Sequence, residues 1–127
     1  MKKMLLMALV ALMSMSVNAQ SDPICQVPEV FPEFKGGVEA MMKFICDNVK
    51  YPKDAEVSRT EGRVVVQLTI EKDGTVSGYE VVNKVSPSLD AEALRVAKLT
   101  SDKWIPAKNK GKNVRTNFTI PIKFRLN

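Results

Sequence analysis

Thiols, carboxylates and one proline-interrupted strand are the features of this chain that could do chemistry. The thiols are Cys25 and Cys46, the two cysteines among 127 residues. The chain has no histidine, so neither thiol has an imidazole to activate it, and acid–base work near neutral pH lacks its usual side chain. Two sulfurs without histidine and without Cys-x-x-Cys spacing do not make a zinc site. Asp90 and Glu92 stand two apart in a helical stretch, hence on different faces, and read as helix-start charges. Asp73 belongs to a turn. There is no Gly-x-Ser-x-Gly and no phosphate loop. These residues predict no enzyme, no metal, no cofactor and no small-molecule substrate.

The remaining chemistry is that of the backbone. Val114 to Leu126 is the longest alternating run. Val114, Thr116, Phe118, Ile120, Ile122, Phe124 and Leu126 share one face; Arg115, Asn117, Thr119, Pro121, Lys123 and Arg125 share the other. Proline cannot donate to a ladder, so a strand carrying Pro121 at its middle belongs at a sheet edge with that residue's backbone turned outward. Alternation then turns the odd residues outward too. Arg115, Asn117 and Thr119 would offer free N–H and C=O groups to an incoming strand, while Pro121, Lys123 and Arg125 resemble edge-blocking residues. The alternative is an edge protected by its own charges or by the N-terminal arm.

Several elements must hold that edge. Val38, Met41, Met42, Ile45 and Val49 recur at three and four residues and predict a helix from about Val38 to Asn48, stopped by Pro52. Arg63 to Glu71 alternates, with Val64, Val66, Leu68 and Ile70 on one face, and predicts a half-buried strand. Lys72-Asp73-Gly74 makes a tight turn. The return strand, Thr75 to about Asn83, changes parity between Val76 and Tyr79, which a bulge near Ser77-Gly78 would repair. Pro87-Ser88 opens a second helix lined by Leu89, Ala93, Val96 and Ala97, with Trp104 and Ile105 packed at its end. Lys108 to Lys112 reads as a solvated polar loop. The order helix, strand, strand, helix, strand predicts an α+β fold, with two helices packed on one face of a three-stranded antiparallel sheet.

Residues 1–19 read as a secretory signal: Lys2 and Lys3, an apolar run from Met4 to Met13, and a small-residue cleavage site at Val17-Asn18-Ala19. The run is short for a membrane span, although an uncleaved inner-membrane anchor over residues 4–17 is the alternative. Residues 20–35 form an arm holding Pro23, Pro28 and Pro32, and residues 36–127 form the domain. Formal charge falls from +5 to +3 once Lys2 and Lys3 are removed, too mild for a nucleic-acid partner, which export also disfavours. Export and an even cysteine count favour a Cys25–Cys46 disulfide, which would contribute about 3 kcal/mol by chain-entropy arguments. The other reading makes Cys46 a small hydrophobe on a helix.

Tyr51-Pro52, Glu61-Gly62-Arg63-Val64-Val65-Val66, Asp73-Gly74-Thr75-Val76, Leu89…Ala93…Ala97, Trp104-Ile105-Pro106 and Val114…Phe118…Ile120…Phe124 occur in that order. The ordered set resembles the C-terminal domain of TonB, the periplasmic energy transducer that grips outer-membrane transporters. The resemblance implies a periplasmic protein-binding module linked to TonB-dependent transport. In TonB, the free edge of the final strand receives the TonB box, an extended transporter segment, by strand addition. The positions that match are Arg115, Asn117, Thr119, Lys123 and Arg125.

Two features depart from that pattern. Pro121 removes one docking bond. The arm of about 16 residues spans roughly 55 Å when extended, where TonB has a long proline-rich span, so a free-standing domain that binds transporters or competes with TonB is expected. A structural or regulatory envelope module, joined to another protein or to a second copy through the sheet, is the other functional reading.

Cleavage after Ala19 is expected. The intact mass of protein recovered from the periplasm checks it; a membrane-bound form retaining Met1 to Ala19 contradicts it.

Overall fold

A computed structural model describes residues 23–126; the expected signal segment, 1–19, lies outside the described residues. The elements are β1 (Glu33–Phe34), α1 (Gly37–Asn48), α2 (Lys53–Val57), β2 (Gly62–Ile70), β3 (Val76–Asn83), α3 (Pro87–Leu99), β4 (Trp104–Ile105), β5 (Ala107–Asn109), β6 (Lys112–Val114) and β7 (Thr116–Phe124). The main sheet is antiparallel with strand order β3-β2-β7. The expected α+β arrangement is present. A one-turn helix, α2, and two short ribbons, β1-β4 and β5-β6, are added to it.

Alternation explains the sheet. Val64, Val66, Leu68 and Ile70 on β2 are fully buried, as are Ile120 and, nearly, Ile122 on β7. The parity change in β3 is repaired as expected. Thr69 pairs with Gly78 and Ile70 with Val76, leaving Ser77 as an extra bulged residue, so that Tyr79 and Val81 meet Leu68 and Val66 on the helix-covered face. A second shift, between Val65↔Asn83 and Val66↔Val81, leaves Val82 unpaired and exposed. The β2–β3 turn is fixed by Asp73, whose carboxylate accepts from the Thr75 amide (3.0 Å) and hydroxyl (2.6 Å). Those bonds hold the Asp73 carboxyl below its ordinary value. At Gly74 φ is +88°, and a Cβ there would lie 2.6 Å from the Trp104 carbonyl oxygen. Glycine is needed at this position for both conformation and space.

Helix α3 lays Leu89, Ala93, Val96 and Ala97 on the sheet, all fully buried. Ser86 caps it by accepting from the Leu89 amide, with Pro87 in the first turn. Asp90 serves the helix start by accepting from Val85 N–H (2.9 Å). Glu92 does something else. It accepts from Arg95 (2.7 Å) and from the Lys50 amide (2.7 Å), while Arg95 Nη2 also donates to the Asn48 carbonyl (2.7 Å). This pair therefore clamps the exit of α1 onto α3.

The buried stripe of α1 is rotated from the expected one. Met41 and Ile45 are buried, but Val38 is 69 % and Met42 56 % exposed. Phe44 packs inward instead, its ring 5.7 Å from that of Phe34. The cause lies in the arm, which supplies a core residue that helical periodicity cannot reveal. Phe34 is buried, and β1 pairs with β4 so that Phe34 sits opposite Trp104, with rings 5.5 Å apart edge to face. The arm continues along the β5-β6 ribbon through Val30 and Lys108, which exchange backbone bonds of 2.9 Å. The expected loop at Lys108 to Lys112 is thus a hairpin, turned at Lys110 and Gly111 with positive φ.

Arg95, followed by Lys50 N–H, holds the Glu92 carboxyl below its usual value, against the opposing effect of burial. A depressed carboxyl stabilises the fold fully above the unfolded pKa, about 4.3, and loses that contribution as pH falls through the folded value. Glu92→Gln is expected to cost about 1 kcal/mol at neutral pH. Urea midpoints of the two proteins should converge on acidification; a gap that stays constant into acid contradicts the clamp.

Candidate functional site

Strand β7 ends the sheet, paired on one side with β2. Pro121 lies directly opposite Val65 and is exposed. In an antiparallel ladder, opposed residues alternate between bonded and non-bonded pairs. A proline can only occupy a non-bonded pair, which makes Asn117↔Thr69, Thr119↔Gln67 and Lys123↔Arg63 non-bonded as well. The N–H groups of Asn117, Thr119 and Lys123 and the carbonyls of all four odd residues therefore point away from β2. The even pairs, Phe118↔Leu68 and Ile120↔Val66, carry the ladder bonds.

The upper limit of this edge differs from expectation. Arg115 precedes the strand, and its carbonyl accepts from the Cys25 amide (2.8 Å). Thr116 Oγ1 donates to the Cys25 carbonyl (2.8 Å), and the Arg115 guanidinium reaches Glu71 (2.9 Å). The expectation of a free carbonyl at Arg115 is therefore corrected: the arm occupies it. The open stretch runs from Asn117 to Lys123. Asn117 Oδ1 accepts from Thr69 Oγ1 (2.9 Å), which braces the edge across the sheet. Lys123 and Arg125 are exposed at its lower end.

The expected Cys25–Cys46 disulfide is likewise corrected. Both cysteines are free. Cys25 is bonded to the start of β7, while Cys46 lines a groove beside Pro121 and Lys123. From Thr116 to Pro121 an extended strand covers about 16 Å, whereas a disulfide needs its Cα atoms within about 7 Å. Among the described residues, no group of three His, Cys, Asp or Glu side chains is placed to hold a metal.

That groove is the feature the sequence reading missed. Met42 and Cys46 on α1, with Val49 just past its end, form one wall, and Pro121 and Lys123 of β7 with Arg63 of β2 form the other. Its signal was present as two exposed apolar side chains, Met42 and Cys46, one helical turn apart.

A sheet layered with helices on one face and left open along one strand defines an α+β domain with an unpaired strand edge. The chain is matched over residues 47–126 by the family model described as the Gram-negative bacterial TonB protein C-terminal, and it belongs to that family. Two solution structures of the Helicobacter pylori TonB C-terminal domain resemble it. The structure of residues 179–285 of that protein is 27 % identical, covering 71 % of this chain and 80 % of its own, with a TM-score of 0.56. The structure of residues 194–285 is 28 % identical, covering 68 % and 90 %, with a TM-score of 0.53. No protein of curated function matches the chain.

Amide hydrogen exchange checks the edge. In the free monomer, the amides of Asn117 and Thr119 should exchange faster than those of Phe118 and Ile120, which bond inward. Equal protection at Thr119 and Ile120 contradicts the assignment.

Proposed function

We propose that this chain acts as a periplasmic TonB-like module that binds outer-membrane transporters of the TonB-dependent class. It takes an extended TonB-box-like segment as an added strand on β7. The observation that carries this reading is the outward row of backbone groups on Asn117, Thr119, Pro121 and Lys123 at the end of the sheet. Main-chain bonds would supply affinity in this mode, and alternate side chains would supply choice. Family membership supports a protein partner in the Gram-negative envelope.

The roles of the exposed cations follow. Asn117 and Thr119 present donors and acceptors; Lys123 and Arg125 present charge to whatever lies alongside. Arg115, held by Glu71 and the arm, fixes where the docking row begins. The other reading, a structural or regulatory envelope module, closes the same edge with a second copy of the chain.

Thr119→Pro separates fold from binding. The substitution removes an outward N–H and no bond to β2, so circular dichroism should be unchanged and binding of a TonB-box-like peptide should weaken by about tenfold or more. Wild-type peptide affinity in Thr119→Pro overturns strand addition. Loss of a sedimenting dimer, with no peptide binding in either protein, would instead establish the homodimer.

A further inference from the structure

The groove beside the edge says more about what the added strand must look like. Its volume is about 340 Å³. Met42, Cys46 and Val49 come from the helix layer, whereas Pro121, Lys123 and Arg63 sit at odd positions of their strands, on the opposite face of the sheet. A single groove can touch both layers only around the open edge of β7. A strand added at Pro121 to Lys123 would therefore run through it.

The two sides of the groove differ in chemistry. The helix side is apolar, with Met42 more than half exposed. The sheet side is cationic. Lys123 lies directly opposite Arg63 in a non-bonded pair, where side chains approach most closely, and Arg125 follows. Like charges so placed repel. Among the described residues, none of the three side chains has a carboxylate partner.

Resting on the strand-addition reading above, we propose that the groove selects an apolar residue adjacent to an acidic one in the incoming strand. Neighbouring residues of a strand point to opposite faces. One side chain enters between Met42 and Val49, and the next brings its carboxylate to Lys123 and Arg63. The occupant is thus an extended segment of an envelope protein bearing an apolar–acidic pair. The groove wall on α1 lies mostly ahead of the stretch matched by the family model, which begins at Asp47.

Three blocked threonine–valine peptides test this, with Leu–Glu, Ser–Glu or Leu–Lys at the centre. The protein is the Cys25→Ser variant, so that Cys46 is the one thiol reporting on the groove. Slowed exchange at Thr119 reports strand addition; slowed thiol labelling at Cys46 reports groove filling. Leu–Glu should bind about tenfold more tightly than either other peptide, equivalent to about 1.4 kcal/mol, and should protect Cys46. Lys123→Glu should reverse the preference between Leu–Glu and Leu–Lys, and Met42→Lys should erase that between Leu–Glu and Ser–Glu. If all three peptides protect Thr119 equally, strand addition stands and the groove proposal is overturned. If none protects Thr119, both fall.

Discussion

Trp104 is the point on which the tertiary arrangement turns. Its indole N–H donates to the Thr100 hydroxyl (3.0 Å), which itself donates to the Ala97 carbonyl (2.6 Å), so the ring is fixed to the end of α3. Its faces and edges meet Phe34 from the arm and Phe118 from β7, the latter at 5.3 Å. Its carbonyl sits against Gly74 at the tip of the β2–β3 turn. Arm, helix, hairpin and last strand thus converge on one buried residue that is almost wholly shielded from water. A large aromatic with its single donor satisfied is well suited to that place: it buries much area and leaves no polar atom unpaired.

The open edge follows from a different residue and a different absence. Pro121 cannot join a ladder from its nitrogen, so it settles which half of β7 faces β2 and which half faces out. Its ring does not disrupt the sheet because the lost donor is one that would have pointed to solvent. The arm then limits the row from above by bonding at Arg115. The fold therefore presents a bounded row of outward backbone groups, set by proline at its middle and by the arm at its top.

Much of this was legible in the amino-acid sequence because it depends on period and on proline. The alternation of Val64 to Ile70, the bulge at Ser77, the α3 stripe and the edge position of β7 all follow from local rules applied to a few residues. The rest depends on partners distant in sequence. Helical spacing alone could not tell that α1 turns Phe44 inward, since Phe34 and Trp104 decide that. Lys108 to Lys112 looked like a solvated loop because short ribbons have little periodicity, and the arm that steadies it is far away in the chain. The free cysteines and the groove beside Pro121 are matters of three-dimensional distance, which neither residue count nor compartment encodes.

Pro121 also bears on residence time. An incoming strand that spans this position brings a carbonyl that finds no donor there, and an acceptor left unmet at an interface costs about 1–3 kcal/mol. Differences among related complexes fall mainly on the dissociation rate, so under strand addition the gap would hasten release by roughly 5- to 150-fold relative to an unbroken row. A sheet edge with a full complement of donors tends to hold what it captures. Under the proposed strand addition, one with a proline at its centre would favour repeated exchange of occupants.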